Sequence, residues 1–129
     1  MRDQQDSKSS VIHIKVIVQK TSSGYDATYD PPIIAVNSCD TTLRFQLDEP
    51  TPDHVVIDSV TISPLGQTQL SDPTITDNGK KYEVKDANTV KQTLNLKFKY
   101  KDKHGAALEA KSAFNVLSVE YPQVDNNPP

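Results

Sequence analysis

The chain has no tryptophan, a single methionine, a single cysteine and 4 glycines in 129 residues, and each scarcity closes a route. Cys39 has no partner for an internal disulfide, so nothing staples the fold covalently; a reducing, cytoplasmic setting is expected. Gly24, Gly66, Gly79 and Gly105 are scattered singly and offer no loop to cradle a phosphate. No apolar run approaches the roughly 20 residues of a membrane span, and residues 1–10 contain none at all. With 14 Lys+Arg against 17 Asp+Glu the formal charge is −3, the wrong sign for gripping a phosphate backbone. Neither nucleic acid nor a membrane is an expected partner.

What is present is short, alternating and punctuated. Residues 11–19 place Ile12, Ile14, Val16 and Val18 on one face, which is the two-residue period of a half-buried strand. Residues 41–47 do the same with Leu43, Phe45 and Leu47, and residues 93–101 with Leu94, Leu96, Phe98 and Tyr100. Residues 54–63 are rich in β-branched side chains but fit two phases, which suggests a bulge. Ile33-Ile34-Ala35-Val36 follows Asp30-Pro31-Pro32, so it should start at a strand end or lie on an edge, because proline donates nothing to a ladder. Pro64-Leu65-Gly66, Asp72-Pro73, Asp77-Asn78-Gly79 and Lys103-His104-Gly105 read as turns, with a hairpin across Asn78-Gly79 and a last strand over residues 111–119. Seven or eight strands with turns every ten residues or so, and no helix, predict one all-β domain. Its architecture is expected to be an antiparallel, immunoglobulin-like two-sheet sandwich over residues 11–120. Residues 1–10 are expected to be disordered, and residues 121–129, rich in Pro and Asn, to be a solvated tail.

Chemistry-bearing residues are few. His13, His54, His104 and Cys39 have neither zinc spacing nor the Cys-His-Met grouping of a blue-copper site, and Asp40 beside Cys39 opposes thiolate formation. The tail Val124-Asp125-Asn126-Asn127-Pro128-Pro129 resembles the linker that follows a cadherin repeat. It holds one carboxylate, too few for a hard cation that wants six or more oxygens. No catalytic residue, metal or cofactor is therefore expected. The strongest charge feature is the row Lys97, Lys99 and Lys101, which lies on the solvent face of its strand and forms a partner surface if anything does. The acidic stretch 48–58 is placed to neutralise it across a neighbouring strand.

The dipeptides Asp30-Pro31, Glu49-Pro50 and Asp72-Pro73, in a small all-β chain ending Asn127-Pro128-Pro129, resemble the DP-EP family of small bacterial proteins; Tyr121-Pro122 stands where a further Asp-Pro is expected. The resemblance implies a bacterial source and a sandwich fold, and it transfers no catalytic residue. The residue inventory points to a non-catalytic binding or protein-interaction module. The alternatives are a structural subunit of an oligomer or larger assembly, and an enzyme using Asp48, Glu49, Asp53 and Asp58.

Overall fold

A computed structural model describes residues 10–22, 24–108, 110–112 and 122–129. Within them the chain forms β1 (Val11–Thr21), β2 (Gly24–Asp30), β3 (Ile33–Val36), β4 (Thr41–Leu47), β5 (Val55–Ser63) and β6 (Leu70–Thr76). These are followed by β7 (Lys81–Asp86), β8 (Gln92–Asp102), β9 (Ala107–Leu108), β10 (Ala110–Ser112) and β11 (Gln123–Asn126). One sheet runs β10-β2-β1-β4-β7-β6. In the other, β8 is central: β5 pairs along one side of it, and β11 and then β3 lie on the opposite side, with β9 beside the far end of β8.

The two-residue period of the sequence becomes the core. Ile14, Val16 and Val18 of β1, Leu43, Phe45 and Leu47 of β4, and Leu94, Leu96, Phe98 and Tyr100 of β8 are all buried, because alternate side chains of a strand share a face. Phe98 is the knob that locks the sheets together. Its ring centroid lies 5.0 Å from Phe45, 5.5 Å from Tyr29 and 5.5 Å from Tyr82, which come from three strands of the opposite sheet. Contacts at these spacings add to the area each ring buries. The hydroxyls of Tyr29 and Tyr100 meet across the core at 2.8 Å, and burial pushes the unpartnered Tyr82 hydroxyl up to about 12.

Strand β5 fits both phases because it contains a bulge. Its register against β8 shifts between Ile57 and Ser59; Val55 and Ile57 face the core before the shift, and Val60 and Ile62 pack against it afterwards. The extra residue, Asp58, moves the inward positions from odd to even numbers. Val56, left facing out, is covered by the turn Asp77-Asn78-Gly79. In that turn φ is 57°, 55° and 86°, and a Cβ on Gly79 would lie 2.6 Å from Val56 Cβ. Glycine is required there for conformation and for space alike.

The structure departs from the sequence reading in four places. Residues 24–30, to which the sequence reading assigns no strand, form β2 and bury Ala27 and Tyr29; Tyr25, Ala27 and Tyr29 supply the alternation that Gly24 and two aspartates obscure. The sheets are mixed, not antiparallel: β1 runs parallel to β4, β3 to β11 and β2 to β10. Asp72-Pro73 does not turn the chain but sits in a register shift within β6. Because β6 is an edge strand, the missing N–H of Pro73 is tolerated. Lastly, residues 123–126, expected in a solvated tail, form β11 between β3 and β8, with Val124 and Asn126 buried. Of the last strand expected over 111–119, only residues 111 and 112 are described, and they belong to β10. Residues 1–9 of the N-terminal segment also lie outside the described residues.

Candidate functional site

Alternation along β8 sets Lys97, Lys99 and Lys101 opposite the buried Leu96, Phe98 and Tyr100, with Lys97 and Lys99 exposed. The lower end of the row is neutralised from the acidic stretch: Lys101 Nζ lies 3.6 Å from Asp58 Oδ1, and Lys103 Nζ lies 2.9 Å from Asp53 Oδ2. The upper end borders β5, where Ser59 and Thr61 stand opposite Lys99 and Lys97. This part of the row faces solvent beside a sheet margin.

That margin differs from the other margins among the described residues. β10 has only three residues, β3 has four and follows two prolines, and β6 carries the Asp72-Pro73 irregularity. Among the described residues β5, nine residues long, pairs with β8 alone. Its first part is guarded, since Lys80 Nζ donates to Val55 O at 2.6 Å and the Gly79 turn covers Val56. Beyond the bulge, residues 59–63 carry no charge and no proline, and they lead to Leu65, which is 88% exposed. Such a strand presents unpaired backbone groups to any second strand.

Within the acidic stretch Asp53 is tied to two lysines. Hydrogen bonding to Lys103, with the charges of Lys103 and Lys80, holds the Asp53 carboxyl below the usual aspartate range. A general acid at neutral pH needs the opposite shift. Burial pulls the Lys80 ammonium down, while its Nζ donates to Asp53 O at 2.7 Å. The ring of His54 stands edge-on to Tyr25, its Nε2 3.3 Å from the Tyr25 hydroxyl. His13 lies on β1, His104 in the β8–β9 turn and Cys39 before β4, with Cys39 Sγ 3.9 Å from Asn88 O. Among the described residues no three His, Cys, Asp or Glu side chains gather as a metal would require.

The opposite end of the sandwich holds a cluster that the sequence does not announce. Thr41, Gln69, Asp86, Asn88 and Asn126 are all buried. Asp86 Oδ1 accepts from Asn126 Nδ2 and from the Asn88 backbone N–H, each at 3.0 Å, which ties β7 to β11 across the two sheets. Asn88 Nδ2 donates to Val36 O and Ser38 O, each at 3.1 Å. Gln69 Oε1 accepts from Thr89 N at 2.7 Å and Val90 N at 3.2 Å. Desolvation raises the Asp86 carboxyl above the ordinary aspartate value, against the two bonds that lower it. A polar groove of about 340 Å³ adjoins the cluster at Asn126 and is otherwise lined by Lys91, Gln92, Thr93, Asp125 and Asn127.

Comparison with known protein families and with curated proteins finds no match to this chain. Among the described residues no helix is long and apolar enough to cross a membrane.

Proposed function

We propose that this domain is a non-catalytic protein-interaction module that meets its partner by strand addition along β5 beyond its bulge. The observation carrying this reading is the unguarded run 59–63, flanked by exposed Lys97 and Lys99 and ended by exposed Leu65. Main-chain pairing there would supply affinity, and the lysines would select the partner's charge. Immunoglobulin-like topology belongs to the same proposal. In support of it, β4, β7 and β6 adjoin in that order in one sheet and β5, β8 and β11 in the other, as strands B-E-D and C-F-G do in that fold. The β1–β2 hairpin and the parallel β1–β4 pair are additions to that plan. A bacterial, cytoplasmic origin and kinship with the DP-EP family are proposals of the same standing, resting on the dipeptides and the single cysteine.

The test compares wild type with Thr61→Lys, which places a charge on the proposed margin without touching the core. Wild type is expected to retain a specific protein partner, or to double its mass by light scattering if the partner is a second copy. Thr61→Lys is expected to lose that association at unchanged melting temperature. Equal association by both proteins would refute the β5 reading.

A further inference from the structure

At the Asp86 end of the sandwich, acceptors outnumber donors. Asp86 Oδ1 takes the Asn126 amide and the Asn88 backbone N–H, and the Asn88 amide is spent on main-chain carbonyls. Asp86 Oδ2, Asn88 Oδ1 and Asn126 Oδ1 are left buried with no hydrogen bond. The side chains facing Asp86 supply no compensating charge. Thr41 of β4 and Leu70 of β6 stand opposite it in the ladders, and Asn126 approaches from β11. The charged neighbours lie further out: Asp40 is exposed, Asp125 accepts from Gln123 Nε2 at 3.0 Å, and the Lys91 ammonium donates to Asn127 Oδ1 at 3.0 Å. Among the described residues none of them pairs with Asp86. A hard cation wants six or more oxygens, and only three are free here. One proton suffices to turn an orphaned acceptor into a donor.

We propose that Asp86 is held in the folded protein as the neutral carboxylic acid, its proton on Oδ2 donated to an orphaned amide oxygen of Asn88 or Asn126, so that the β7–β11 tie is a pH-sensitive latch. The sign follows from linkage. As pH rises from the ordinary aspartate value of 3.8, the opened state loses its proton while the closed state keeps it, so opening becomes easier. The opening equilibrium grows up to about tenfold per pH unit through that window and levels off once the closed state ionises.

Carbon-13 NMR of the aspartate carboxyls in the unmodified protein reads the proton directly. One carboxyl, assigned to Asp86, is expected to titrate well above the others. The Val124 amide should exchange faster with rising pH than base catalysis alone explains. Asp86→Asn, which offers an N–H in place of the O–H, should abolish the high titration and leave only the base-catalysed slope. An Asp86 carboxyl that titrates with the exposed aspartates overturns the proposal without any substitution. So does a melting temperature raised by Na⁺, K⁺ or Ca²⁺ in wild type and not in Asp86→Asn, which would give the oxygens to a cation.

Discussion

If β11 is part of the core, Val124→Ala must be felt by the whole domain, although the residue sits in a segment of prolines, asparagines and an aspartate. Val124 is 0% exposed and packs in the main cluster, in a strand flanked on both sides. Truncation removes two buried methyl-sized groups, about 1.6 kcal/mol at roughly 0.8 kcal/mol each. A residual void of roughly 40 Å³ adds about 1 kcal/mol, for a loss near 2.5 kcal/mol. A chain of 129 residues has an unfolding entropy of about 0.27 kcal/mol/K, which converts that loss into a melting temperature lower by about 9 °C. Asp125→Ala is the control, because its carboxylate bonds only Thr93 and Gln123 near the surface; a change within about 0.5 kcal/mol is expected. Differential scanning calorimetry decides it. Equal melting temperatures for Val124→Ala and wild type would mean that β11 is not docked, and the Asp86 latch would fall with it.

Two further perturbations probe the packing. Gly79→Ala combines a left-handed φ of 86° with a Cβ pressed against Val56, and should cost about 2–4 kcal/mol in urea denaturation; adding Val56→Ala removes the lesser crowding by Cγ1 at 3.1 Å but leaves the Cβ at 2.6 Å that alanine retains, so most of the loss should persist and a full rescue would refute that contact. Tyr29→Phe strands the Tyr100 hydroxyl and should cost about 1–3 kcal/mol, with Tyr29→Phe/Tyr100→Phe costing less than the single substitution; strictly additive losses would show that the two hydroxyls do not act as a pair.

The strands that sequence reveals are those whose two faces differ sharply. β1, β4 and β8 alternate branched or aromatic residues with polar ones, so burial follows from period alone. In β5 the two competing phases were themselves the signal of the bulge. β2 is hard to see because the turn residues at both its ends, Gly24 and Asp30-Pro31-Pro32, leave a short stretch with an aspartate inside it, and β11 because Gln-Val-Asp-Asn has one apolar residue to offer. The parallel pairs β1–β4 and β3–β11 leave no local trace, since pairing partners distant in sequence are chosen by the whole fold. The buried cluster was invisible for a related reason. Asp86, Asn88 and Asn126 each look like a turn residue and Gln69 like a solvated one, and only the meeting of two sheets removes them from water. The lysine row was legible as a solvent face, and so was its partial neutralisation from the stretch 48–58. Which lysines stay beside an open margin depended on the register of β5.

The place of β11 has a consequence for how the chain acquires its shape. Ile33 pairs with Gln123, and Val36 with Asn126, so the longest loop closed by a strand pair among the described residues closes only when β11 arrives. Closing a long loop costs entropy before its contacts repay it. Strands β4 to β8 can pair with near neighbours in sequence, while β3, whose partner among the described residues is β11, waits unpaired. During synthesis this leaves two unpaired ladders, on β3 and on the first residues of β8, exposed until residue 126 clears the ribosome. A strand of another nascent copy could fill that slot first. Slow emergence of residues 123–126 should therefore favour exchange of β11 between chains.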